Sequence, residues 1–320
     1  MRAASGSPYI SVAGTEDYVN VRLVPRLSAI VPASDGPPTL EACLRAIHTA
    51  DEPPEEVIVA EDGVGPAAAR NDGARQATAD VLVFVDADVL PHRDAFTRIR
   101  RAFDADPELV ALFGSYDDTP TAPGAVSGFR NLLHHYVHQE GAGPAETFWA
   151  GLGAIRSDAF AEVGGFDAER YPAPSIEDVE LGARLHARGA GIVLDPDLQG
   201  THLKGWTLLG MVHTDLWARG VPWVELLLDE GHSTALNLGW RHRASAIASL
   251  AAVLFVLRGR PRAAAGSLAT LVALNGSFYQ LLLRRRGPLE ACLGVGLHAV
   301  HHLTVALSVP VGIARYLRRD

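Results

Sequence analysis

Over its first two thirds the chain alternates short apolar runs with amphipathic ones. RLSAIVPA (26–33), EEVIVAED (55–62) and VLVFVDADV (81–89) are apolar stretches of strand length that end in polar or acidic residues. Between them, TLEACLRAIHTA (39–50) and AAARNDGARQATA (67–79) carry helical spacing. That alternation predicts an α/β domain with a mostly parallel sheet flanked by helices. Ligands of such sheets gather at the carboxyl ends of the strands. The turn Pro32-Ala33-Ser34-Asp35, Asp62 and the pair Asp86/Asp88 all stand at such ends, so one polar edge is expected.

The pattern changes near residue 240. Residues 263–283 contain no charged residue and are long enough to span a bilayer, which takes ~20 residues. Residues 291–314 are similar but contain His298, His301 and His302, and residues 244–257 are marginal by length. The chain therefore divides into an N-terminal extension (1–26), an α/β domain (27–240) and a membrane-associated helical region (241–320) with transmembrane or interfacial helices. Counting arginines favours a hairpin of two spans, 263–283 and 291–314, with Arg284, Arg285 and Arg286 facing outward.

Composition narrows the function. The formal charge of −9 argues against a nucleic-acid partner held by a general basic field. Cys43 and Cys292 fit no zinc or redox spacing, which suits a reducing compartment. The first residues lack the apolar core of a signal peptide, so the α/β domain is expected on the cytoplasmic face of the cell membrane.

Asp86 and Asp88 are two apart in an extended segment and point the same way. Two like charges there suit a hard divalent cation, Mg²⁺ or Mn²⁺, bound together with substrate phosphates. The alternative is that one of them opens the next helix.

Four segments resemble the family 2 glycosyltransferases, which have the GT-A fold: LSAIVPASDG, EEVIVAEDG, GPAAARNDGARQATADVLVFVDADV and FWAGLGAIRSDAFAEVGGFDAERYPAPSIEDVELGARLHARG. The resemblance implies a sugar donor linked to UDP or GDP and transfer with inversion. It implies a donor site built from Pro32, Ala33, Asp35, Asp62, Arg70, Asn71 and Asp86. Asp88, with Asp86 and His202, would hold the metal, and Asp178 would be the general base, with Glu177 as its substitute. A lipid-linked or envelope-glycan acceptor follows from the apolar C-terminal region. Q-x-x-R-W is absent, so one sugar per encounter is expected.

Several of these residues also have a purely structural reading. Ser175 and Asp178 have the spacing of a capping box, and Arg70 either lies along the diphosphate or pairs with a carboxylate. His134 and His138 are four apart, but no helical carboxylate completes a metal motif, so they read as solvated or interface residues. Trp149 and Trp206 stack on a sugar or pack, packing being favoured for Trp206, and Gly164-Gly165 is a turn. Two other functions compete: a membrane-tethered nucleotide-sugar-binding protein, and, more weakly, a phosphatase or nucleotidyltransferase using Asp86/Asp88.

Overall fold

The computed structural model describes residues 24–33, 36–61, 65–231 and 239–319; Asp35 and Asp62, two expected donor-site residues, lie outside them. Among the described residues eight strands form one sheet: β1 Leu27–Pro32, β2 Glu56–Ala60, β3 Val81–Val85, β4 Val89–Pro91, β5 Leu109–Tyr116, β6 Gly143–Pro144, β7 Leu152–Arg156 and β8 Gly191–His202. Their order is β2-β1-β3-β7-β5-β8-β4, with β6 beside β8.

Strands β2, β1 and β3 are parallel, as the alternating pattern requires, with α1 (Leu40–His48) and α2 (Pro66–Gln76) as crossovers. The second half corrects the mostly parallel expectation. β7 enters between β3 and β5 antiparallel to both, and β4 and β6 run antiparallel to β8, which is itself parallel to β5. β7 follows α4 (Ala125–Glu140), which begins beyond the carboxyl end of β5, so the strand returns in the opposite direction. The carboxyl ends of β1, β2, β3, β5 and β8 and the start of β7 consequently share one edge.

β3 illustrates why the sheet is buried on both faces. All five of its residues are buried, and with a period of two Val81, Val83 and Val85 enter one core while Leu82 and Phe84 enter the other. The first core contains Phe96 and Ile99 of α3 (Ala95–Ala105); the second is a cluster of Phe84, Phe113, Phe148, Phe160 and Phe166. Phe160 lies on α5 (Ser157–Glu162).

The remaining chain is helical: α6 Glu177–Ala187, α7 Leu208–His213, a π-helical turn Thr214–Gly220, α8 Val221–Glu230, α9 Trp240–Leu257, α10 Pro261–Leu274 and α11 Gly276–Tyr316. The predicted span 263–283 is not one helix. It breaks at Asn275, a buried residue whose amide donates to Ser245 Oγ (2.9 Å) and Leu271 O (2.9 Å). Among the described residues α11 alone is long and apolar enough to cross a membrane, and Gly287 (φ 80°, ψ 176°) divides it.

Nor do two of the three central arginines face away from the sheet domain. Arg285 pairs with Asp118, just past β5, and Arg286 pairs with Glu290 (2.7 Å) on the α4 side of the helix. Phe129, Leu132 and Tyr136 of α4 share a core with Phe278, Tyr279 and Leu282 of α11.

Candidate active site

At the shared edge one buried arginine organises the carboxylates. Arg70, on α2, donates Nη2 to Asp86 Oδ1 (2.7 Å) and Nη1 to Glu177 Oε1 (2.8 Å). The side chains of Arg70 and Glu177 are each 6% exposed, whereas Asp86 and Asp88 are 30% and 29% exposed, so the D-x-D pair opens to the cleft while its support is closed. Of the two readings of Arg70, the structure has the ion pair. Burial pushes the Asp86 carboxyl up, and the charges of Asp88 and Glu177 add to this against the opposing pull of Arg70.

Asp88 stands 3.6 Å from His202 Nε2, because β4 pairs with the end of β8 in a register that sets Val89 opposite His202. Burial alone would raise Asp88, but the His202 imidazole and the Lys204 ammonium outweigh it and hold the carboxyl below its usual range. His202 lies flat on Tyr116 (centroids 4.0 Å, 8° between planes), and Tyr116 rests on His134 (4.1 Å) and edge-on against Trp149 (5.0 Å). His138 is thus buried and His134 half-buried against Tyr116 and Trp149, a correction to their reading as solvated or interface residues. His138 donates its Nδ1–H to Gly114 O (2.8 Å), and burial pushes it down to about 4.

Asp178 approaches from α6. Gly182 lets this helix meet the backbone of Thr147 and Phe148, where any Cβ would collide. Arg184 fixes it by gripping Glu180 (2.6 and 2.7 Å), Val163 O (2.6 Å) and Gly165 O (2.7 Å). Asp178 Oδ2 then accepts from Ala150 N (3.1 Å), immediately before β7. The expected capping box does not form. The helix is capped at Ile176, Ser175 Oγ donates to Ala218 O (2.7 Å), and it is Glu177 Oε2 that accepts from Ser175 N (2.9 Å). Burial, then the neighbouring Glu177 charge, push the Asp178 carboxyl up to about 6.

The other sequence-selected residues divide. Pro32 ends β1, and Ala33 is buried with its N–H donated to Ala60 O (2.9 Å), so these two set the edge through backbone. Asn71 is spent on structure: its Nδ2 donates to Phe166 O (2.8 Å) and its Oδ1 accepts from Phe166 N (2.9 Å), holding the Gly164-Gly165 turn, whose φ values of 81° and 72° fit glycine. Trp206 packs between the Arg130 guanidinium (5.2 Å) and Lys204 Nζ (4.8 Å). Sequence reasoning missed Tyr116 and the burial of His134 and His138. Their i, i+4 spacing did signal a shared helix face, but nothing local told which face is covered.

Chemically, three carboxylates (Asp86, Glu177, Asp178) surround one buried arginine, and Asp88 adds negative charge on the open side beside His202. Asp88 and His202 offer a hard oxygen and an imidazole side by side, a donor set that suits Mn²⁺ or Mg²⁺. Among the described residues no cluster of three protein ligands forms. An ion here needs substrate phosphates to complete its shell, as magnesium-type sites commonly do.

No curated protein matches the chain. Among solved structures, the mannosyltransferase PcManGT from Pyrobaculum calidifontis, in complex with GDP-Man and Mn²⁺, is similar over 90% of this chain and 87% of its own, at 16% identity and a TM-score of 0.55. Residues 1–349 of TarS from S. aureus align over 90% of this chain and 92% of that one, at 14% identity and a TM-score of 0.45. The fold is GT-A-like. Residues 30–164 match the family model for glycosyl transferase family 2.

Proposed function

We propose that the protein transfers one sugar, with inversion, from a UDP- or GDP-linked donor to a hydroxyl of a lipid-linked or envelope-glycan acceptor. The observation that carries this reading is the single constellation Asp178–Glu177–Arg70–Asp86, which joins a raised carboxyl on α6 to the D-x-D pair on β3. Asp88 with His202, supported by Asp86, would hold Mn²⁺ or Mg²⁺. Bound there, the ion supplies positive charge to offset the negative charge growing on the leaving diphosphate. The solved mannosyltransferase of similar fold binds GDP-Man and Mn²⁺, which agrees with this choice.

The residues of the chain do the rest. Arg70 keeps Asp86 and Glu177 in place. The acceptor oxygen attacks the anomeric carbon, the bond from that carbon to the diphosphate oxygen breaks, and the acceptor proton passes to Asp178. Direct displacement inverts the centre. A carboxyl raised to about 6 is still ionised near neutrality and is a stronger proton acceptor than an ordinary aspartate. Glu177 is a poorer base because its Oε1 is held in an ion pair by the buried Arg70 guanidinium (2.8 Å). The apolar C-terminal helices favour an acceptor at a membrane.

The test is calorimetry of UDP and GDP with Mn²⁺, followed by label transfer from UDP- and GDP-sugars to a lipid extract. Asp88→Ala should lose metal-dependent nucleotide binding. Asp178→Asn should bind nucleotide as the wild type does and transfer about 10²–10⁴-fold more slowly. Transfer at wild-type rate by Asp178→Asn would remove it as the base.

A further inference from the structure

The C-terminal helices reveal how such a domain meets a membrane. Helix α9 has 18 residues and α10 has 14, about 27 and 21 Å at 1.5 Å per residue, against a hydrocarbon core of ~30 Å. The part of α11 after Gly287 is long enough, but it is fastened along the sheet domain. Arg285 pairs with Asp118 before its start and His301 Nδ1 meets Asp215 Oδ2 (2.8 Å) at its middle. Near its end Arg315 and Arg319 reach Glu225 of α8 (3.1 and 2.5 Å). Between these pairs, Gly220 and Gly312 let the helix come so close that a Cβ on either would stand 2.6 Å from Ser308 or 2.7 Å from Val224.

The helices α9 and α10 form the outer layer. Ile247, Leu250, Leu254 and Leu257 recur at i, i+3, i+7 and i+10 on α9 and are 40–78% exposed. At the α9–α10 turn Arg258, Arg260 and Arg262 are exposed, and none has a carboxylate partner among the described residues. Residues 241–320 contain eleven arginines and two acids, a charge of +9 in a chain of −9, which leaves −18 on residues 1–240. The molecule is polarised, with its basic end also its apolar one.

We infer that the α9–α10 hairpin is a monotopic docking arm for an anionic bilayer surface. It lies in one leaflet with its apolar face in the acyl boundary and its three turn arginines on anionic headgroups, and the described helices do not cross the membrane. A large apolar face combined with basic residues is the physical signature of interfacial rather than spanning helices. The acidic sheet domain is repelled by the same headgroups, which orients the molecule. This inference does not depend on the transferase chemistry and replaces the two-span hairpin expected from arginine counting.

The test uses the full chain with vesicles of phosphatidylcholine, alone or with roughly a third phosphatidylglycerol. Binding should require the anionic lipid and weaken with salt. Arg258→Gln/Arg260→Gln/Arg262→Gln should lower partitioning about 100-fold, at roughly tenfold or less per arginine, with nucleotide affinity and melting temperature unchanged. Leu250→Asp/Leu254→Asp should abolish it. In a Cys292→Ala chain, Arg260→Cys and Arg284→Cys should both react with an impermeant maleimide only from the side of the sheet domain. Reaction of Arg260→Cys from the opposite face would make the hairpin a span and overturn the proposal. So would equal binding to neutral vesicles, or a soluble dimer closed over this face with no lipid binding.

Discussion

Two buried arginines, built into similar ion networks, do opposite work. Arg70 binds Asp86 and Glu177 at the sheet edge; Arg130, on α4, pairs with Asp215 (2.6 Å), which in turn meets His301 of α11. Both guanidiniums are closed from solvent, with side-chain exposures of 6% and 9%. The difference is in what surrounds them. Around Arg130 the charges leave no negative surplus, since one aspartate lies between Arg130 and His301, with the Arg219 charge nearby. Burial pushes Asp215 up, but His301 and Arg130 outweigh it and hold it at about 2. Around Arg70 a surplus remains, because Asp88 and Asp178 add negative charge that faces the cleft. A buried network without a negative surplus clamps two layers together, whereas a surplus left on the open side calls for a cationic ligand and raises a neighbouring carboxyl.

The largest effect expected from breaking this comparison comes from Arg70→Met. It leaves Glu177 and Asp86 without their cation in a closed site, a loss of about 3–5 kcal/mol read as a lower denaturant midpoint, together with lost transfer. If that variant kept full stability, the carboxylates would not depend on Arg70.

The Arg130 network should appear as acid sensitivity of the fold. The folded Asp215 carboxyl, at about 2, lies below its unfolded value, so its contribution is present above about pH 4 and lost as pH falls towards 2. That contribution is about 2 kcal/mol. Melting curves of wild type against Asp215→Asn between pH 4 and 2 should therefore converge. Parallel curves would mean that the pair contributes nothing through ionisation.

A similar but smaller loss separates the support of the site from its chemistry. Asn71→Ala removes both hydrogen bonds to Phe166 and should cost about 1–2 kcal/mol, while nucleotide affinity stays within a few-fold. A large loss of nucleotide affinity in a stable Asn71→Ala would return that residue to the donor site.

The surplus network should appear in the pH profile of transfer. Asp178, raised to about 6, is protonated below that value and then has no room for the acceptor proton. The rate should fall about tenfold per pH unit below 6 and level off above it. A profile flat to pH 5 would place the base elsewhere.

Much of the site was legible before any fold was known. Asp86 and Asp88 follow five apolar residues and were legible as an acidic strand end, but they stand in a turn closed by Val89 N donating to Asp86 O (2.9 Å), so strand period does not set their directions. Pairing of strands brought His202 to Asp88, and no local signal carries that register. Asp178 was legible as a candidate but misread in its surroundings. Ser175 has the spacing of a cap, yet Arg70, 107 residues earlier, draws Glu177 inward and Glu177 takes the Ser175 N–H instead. His134 and His138 were legible as a pair on one helix face. Their burial depends on Tyr116 and Trp149, contributed by the end of β5 and the approach to β7.

In the C-terminal region the sequence by itself determined apolarity and the excess of arginine, whereas the break at Asn275 falls inside the expected span 263–283 and was found only in the structure. The sequence also determined the strand–helix alternation and the acidic strand end of the first two hundred residues, because burial periodicity and turn chemistry act over a few neighbours. Only the tertiary structure decided that β7 runs antiparallel between β3 and β5, that Arg70 pairs with both Asp86 and Glu177, and that α11 lies along the sheet domain instead of leaving it. Each of these depends on charges or surfaces brought together from distant parts of the chain, whose partners hydropathy along the chain cannot name.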